Sequence, residues 1–196
     1  MDNRITFKQY RNVDLIIFSV IAAVFEVVAT LATSKWFPGQ PMSISITLAM
    51  ILIAMHRWNA YSAVVAVSGG LALCIASSAS IEQYLVYCVG NVFALVSLFL
   101  FKLFTKERVR NGPFLTILLS ATSYVAMSFG RWLLSLPFGA GIDELVGFLV
   151  SDLLSLLFAI VILRIFRGVD GLIEDQKAYL FRLERERKEE NAPEGE

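Results

Sequence analysis

Apolar residues along this chain gather in long unbroken runs. They do not alternate as in a half-buried strand, nor form the one-sided stripe of a soluble helix. A helix needs about 20 apolar residues to cross the hydrocarbon of a bilayer. Runs near that length fall at 15–34, 42–55, 60–78, 84–104, 114–138 and 145–165. Helix breakers and polar residues separate them: Pro38, Gly39 and Pro41 after the first, His56-Arg57-Trp58-Asn59 after the second, and Asn111-Gly112-Pro113 before the fifth. The pattern predicts an all-α, polytopic membrane protein with six transmembrane helices. Span three is rich in small residues (Ala63, Ala66, Gly69, Gly70, Ala72), which let helix backbones approach closely in lipid.

Polar residues inside these runs carry the most information. In the fifth run Ser120, Tyr124, Ser128, Arg131 and Ser135 recur at steps of three and four, a polar stripe down one face of a helix. Insertion scales put an arginine at the centre of a span at about 2.5–3.5 kcal/mol, so Arg131 is expected to face the bundle interior or a watery cavity. The other spans supply partners. Glu26 shares a face with Ala22 and Thr30, Asn91 with Tyr84 and Tyr87, and Asp152 with Phe148 and Ser155. Counting along each span places Glu26, Asn91, Arg131 and Asp152 in the same half of the membrane, the outer one. Two arrangements satisfy this. Arg131 forks onto a carboxylate, Asp152 or Glu26, and locks helices together, or the polar groups line an outward pocket walled by Trp36, Phe37, Trp132 and Phe138.

Composition agrees with a membrane protein: 57% of the 196 residues are hydrophobic and mean hydropathy is +0.66, against about 45–50% apolar for a soluble domain. Net charge is +0, which gives no basis for nucleic-acid binding. Charge placement gives orientation. With the N-terminus inside, all of the 17 lysines and arginines except Lys35 and Arg131 fall on the cytoplasmic side, as the positive-inside rule requires. The first run is longer than the core of a cleaved signal peptide and reads as a retained span. Cys74 and Cys88 read as unpaired membrane cysteines, and His56 has no companion for a metal site. No phosphate-binding GxxxxGK[ST] loop, HExxH or GxSxG occurs, so the expectation is a protein with no catalytic residues, no cofactor and no ATPase of its own. Domain organisation reads as a transmembrane unit over 1–167 and a charged cytoplasmic tail over 168–196. The tail's Leu172, Tyr179, Leu180 and Leu183 fall at helical spacing, and its last six residues read as disordered.

A six-helix protein with both ends inside, a Pro/Gly-bearing first outer loop (36–41) and polar residues converging in the outer half resembles the substrate-binding (S) components of bacterial energy-coupling factor transporters. The likeness covers residues 12–167. It implies a subunit of the bacterial plasma membrane that binds a vitamin or related micronutrient near the outer face. Such a subunit would associate with a transmembrane coupling subunit and two ATPase subunits, and topple in the membrane to release its substrate. By that resemblance Glu26, Trp36, Tyr87, Asn91, Tyr124, Arg131 and Asp152 are the candidate substrate contacts, with the Trp36 loop as gate. The family couples through an AxxxA motif on the first helix; its nearest matches here are Ser19-x-x-x-Ala23 and the neighbouring Ala22. Two other classes fit the same topology: a scaffold like the rod-shape-determining membrane protein, acting through its tail and basic loops, and a small autonomous carrier.

Overall fold

A computed structural model describes residues 6–36, 44–169 and 171–190. The loop 37–41 and the terminal residues 191–196, singled out above, lie outside the described residues, as does Arg4. The described residues form helices only: α1 (Phe7–Trp36), α2 (Thr47–Trp58), α3 (Ala63–Ala76), α4 (Ile81–Gly90), α5 (Phe99–Leu103), α6 (Lys106–Asn111), α7 (Pro113–Ser135), α8 (Ile142–Ser151), α9 (Leu153–Phe166) and α10 (Gln176–Glu190). Four helical stretches among them are long and apolar enough to cross a membrane: Phe7–Trp36, Thr47–Ala76, Ile81–Leu103 and Pro113–Phe138. The pair α8 and α9, bent by 40° at a short break, makes a fifth.

The distribution of polarity is that of a protein solvated by lipid. On α1 the exposed side is Ile16, Ile17, Val20, Val24, Val28 and Leu31, while the inward side is Leu15, Phe18, Ala22 and Glu26. Leu153, Leu157, Phe158 and Val161 do the same on α9. Apolar side chains face out and ionisable ones face in, the reverse of a protein in water. The chain is a membrane-embedded helical protein.

The stretch Thr47–Ala76 is not a straight rod. Asn59 takes φ 53° and ψ −125°, a left-handed conformation that turns the chain. A Cβ on Gly69 would overlap the side chain of Thr47, although a continuous helix would hold the two residues roughly 33 Å apart at 1.5 Å per residue. So α3 runs back along α2, and α2, buried along its whole length, is sheathed by α1, α3, α7 and α9. Small residues set the close approaches. A Cβ on Gly70 would lie 2.7 Å from the Tyr87 carbonyl oxygen, and one on Gly90 2.6 Å from Arg131 Cγ. These glycines bring α4 against α3 on one side and α7 on the other. Beyond Gly90 the helix continues as a 3₁₀ stretch, Asn91–Leu98.

One end of the bundle is closed by basic residues. Arg57, at the end of α2, holds Asp14 of α1 through Nε–Oδ2 and Nη2–Oδ1 bonds of 2.8 Å each. Trp58 Nε1 donates to the same carboxylate at 2.5 Å. The remaining nitrogen of Arg57 donates to the carbonyls of Gly171 at 2.5 Å and Leu172 at 3.1 Å. Lys106 bridges the His56 carbonyl at 2.8 Å and Asp175 at 2.6 Å, and Arg110 pairs with Glu174. The start of the charged tail is therefore docked: Ile173 and Gln176 are buried, and only from Gln176 does it become helical.

Asp14 joins α1, α2 and, through Arg57, the docked segment. Asp14→Ala leaves the largely buried guanidinium without its counter-ion and is expected to destabilise the protein by about 3 kcal/mol, read as a lowered thermal midpoint in detergent. An overpacking change at the other contact, Gly90→Val, forces α4 away from α7 and is expected to cost about 1–3 kcal/mol.

Candidate functional site

The polar stripe of the fifth run is the buried face of α7. Ser120, Tyr124, Ser128, Arg131 and Ser135 are all buried, because the helix turns its hydroxyls and its charge toward the bundle and its Ile117, Val125, Phe129 and Leu133 outward. Arg131 is 3% exposed and uses its whole guanidinium. Nη1 donates to Asp152, while Nε and Nη2 donate to Asn91 Oδ1 at 2.9 and 2.7 Å. Asn91 is held in turn by its Nδ2, which donates to the Ala66 carbonyl at 3.3 Å. The carboxylate that Arg131 meets is Asp152, not Glu26, through Nη1, while the fork of Nε and Nη2 falls on Asn91.

Asp152 occupies the break between α8 and α9, with φ −94° and ψ 8°. A break in a membrane helix needs substitute partners for its backbone. Tyr124 provides one, its hydroxyl donating to the Leu149 carbonyl in the last turns of α8. The bend and the charge pair are thus both anchored to α7, about two turns apart.

Glu26 sits in a second cluster against this one. Its Oε2 accepts from the hydroxyls of Ser45 and Thr47 at 2.8 Å each and from the Thr47 amide at 3.3 Å. Ser45 is itself joined to α9, its amide donating to Ser155 Oγ at 2.9 Å. The carboxylate thereby fixes the entry to α2, and all four residues are buried. Ser45 and Thr47 did not stand out in the sequence, whereas Ser155 did, on the Asp152 face. Ser45 and Thr47 belong to a short Ser/Thr-containing run whose depth only the packing reveals.

Above the Arg131–Asp152 pair, at the end of the bundle away from the basic clasp, lies a cleft of about 520 Å³ between α4, α7 and α8. Tyr87, Phe148, Ser135 and Ser151 line its inner part, and Glu82 and Glu144 stand at its rim. The Tyr87 ring covers the Arg131 guanidinium, centroid to Cζ 4.9 Å. It also meets Phe148 edge-on at 6.2 Å and 86°. A ligand in the cleft would therefore meet an aromatic corner, two hydroxyls and acidic groups, with a neutralised ion pair directly beneath.

The candidate residues thus separate by place. Tyr87 lines the cleft; Arg131, Asp152, Asn91 and Tyr124 form the buried layer beneath it; Glu26 belongs to the α2 anchor. Trp36 ends α1 with 73% of its surface exposed and is not among the residues lining the cleft. Of the small residues on α1, Ala22 is fully buried within the bundle, and Ser19 and Ala23 are partly so. Among the described residues no group of three or more His, Cys, Asp or Glu side chains could hold a metal ion.

Arg131→Ala leaves Asp152 buried without its cation and is expected to cost about 3–5 kcal/mol, whereas Arg131→Met with Asp152→Leu removes both charges and should recover most of that loss. Thermal unfolding of the two variants side by side checks the difference. Tyr124→Phe removes one hydrogen bond at the α8–α9 bend and is expected to cost about 1 kcal/mol. Comparison of the chain with protein families, with curated proteins and with solved structures finds no match, and its reading rests on this geometry.

Proposed function

We propose that this protein is the membrane-embedded binding subunit of an importer of the energy-coupling factor type, taking a small micronutrient from outside a bacterial cell. The observation that carries the reading is the cleft over the Arg131–Asp152 layer: concave, partly aromatic, with a few placed polar groups. In this reading the chain crosses the plasma membrane six times, α2 and α3 counting as separate antiparallel passes because Gly69 packs on Thr47. Both termini are cytoplasmic, since the clasp end carries Arg57, Lys106, Arg108, Arg110, Arg164 and Arg167. The cleft then opens outward. The chain acts as a binding protein and not as an enzyme, and a transmembrane coupling subunit with two ATPases supplies the work. The scaffold reading is less favoured, because Arg57, Lys106 and Arg110 are engaged by the chain's own residues 171–175.

A thermal-shift screen of the purified protein against water-soluble vitamins and their precursors tests this. A ligand present at 100 times its dissociation constant adds about 2.7 kcal/mol. The expected result is one specific hit that Tyr87→Ala abolishes and Trp36→Ala leaves in place. A hit unaffected by Tyr87→Ala would remove the cleft from the reading.

A further inference from the structure

The buried layer contains two carboxylates, Glu26 and Asp152, and one guanidinium, Arg131. Glu26 is 1% exposed and Asp152 5%, at a depth where an uncompensated charge is expensive. Asp152 has the guanidinium: its carboxylate takes Nη1, and Asn91 takes the other two nitrogens. Glu26 has only neutral donors, the hydroxyls of Ser45 and Thr47 and the Thr47 amide, all directed at one oxygen, Oε2. The polar groups against it are Ser45 and Thr47 at the head of α2, with Ser155 of α9 behind Ser45 and the Arg131 charge of α7 within electrostatic reach. Among the described residues the buried arginines and lysines are Arg131 and Arg57, and Arg57 is held by Asp14 at the clasp end. Two carboxylates and one guanidinium make a neutral layer only if one carboxyl group is protonated, and the one that Arg131 does not hold is Glu26. A carboxylic acid with its proton on Oε1 keeps two lone pairs on Oε2 for the Ser45 and Thr47 hydroxyls, and the Thr47 amide is shared with Ser45 Oγ at 3.2 Å. One turn further along α1, Thr30 Oγ1 is buried without a hydrogen-bond partner, so the polar line through Glu26 continues along the helix.

We propose that Glu26 is a proton-binding site inside the membrane, carrying the layer's single proton while Arg131 is paired with Asp152. The two carboxylates compete for one guanidinium, so the proton resides on whichever of them Arg131 does not hold. If Arg131 turned to Glu26, the Glu26 proton would leave and Asp152 would take one up, with no change in the charge of the layer. This places a proton exchange directly beneath the cleft and next to the hydroxyls that anchor the start of α2. The inference stands on the buried charge count and does not rest on the importer reading.

Infrared spectroscopy of the intact protein in lipid, near neutral pH, tests it through the C=O stretch of a protonated carboxylic acid. The wild type should show this band, Glu26→Gln should lack it, and Thr47→Val should shift its frequency by removing a hydrogen-bond donor. Asp152→Asn leaves Glu26 in place as the only buried counter-ion for Arg131 and should abolish the band. That loss would distinguish a shared proton from a merely buried acid. No band in the wild type would overturn the proposal, as would a band that survives Asp152→Asn. A band that appears only on removing sodium would assign the site to a metal cation and overturn it equally. Should Glu26→Gln fail to fold, the wild-type, Thr47→Val and Asp152→Asn spectra still decide the matter.

Discussion

Arg131 brings a fixed positive charge into the buried interior of the bundle, and the contacts that compensate it tie distant parts of the chain together. Asp152 comes from the break between α8 and α9, and Asn91 from the point where α4 passes into a 3₁₀ stretch. The Asn91 amide carries the connection on to Ala66 in α3. Each partner sits where its own helix departs from regular geometry. Such departures are tolerated in a membrane only where polar groups satisfy the backbone. The charge and the irregularities therefore support one another. Gly90 completes the arrangement, since any side chain there would meet the Arg131 stem and hold α4 away from α7.

Glu26 does for the first half of the chain what Arg131 does for the second. It accepts the hydroxyls of Ser45 and Thr47 and so fixes how α2 enters the bundle, while Ser45 reaches across to Ser155. Between the two clusters runs α2, buried along its whole length by α1, α3, α7 and α9. At the other end of α2, Arg57 and Trp58 close on Asp14. A short helix that makes no lipid contact is thus held at both termini by carboxylates of α1. The cleft is built on this base, and Tyr87 touches both the cavity and the Arg131 charge.

The basic end illustrates a different use of charge. By charge placement Arg57, Lys106 and Arg110 fall on the basic side of the chain, and there they bind carbonyls and carboxylates of residues 171–175. A boundary drawn at residue 167 follows the change from apolar to charged composition. The docking of Ile173 and Gln176 depends on groups from α1, α2 and α6 and leaves no compositional mark.

The sequence alone determined that the chain is helical and membrane-embedded, because long apolar runs admit few other solutions in lipid. It also determined which face of α7 turns inward, because five polar residues at helical spacing have only one side on which to hide. It brought Glu26, Asn91, Arg131 and Asp152 to one depth by counting residues. It left open which carboxylate Arg131 meets, since both lie at the right height and either could accept the fork. Tertiary structure decided that. The α8–α9 break brings Asp152 to Arg131, the Ser45–Thr47 entry to α2 occupies Glu26, and the Asn59 turn folds α3 back against α2. Depth along a helix follows from rise per residue and is local. Rotation and partner choice depend on how glycines and bends let separate helices approach, and that belongs to the assembled bundle.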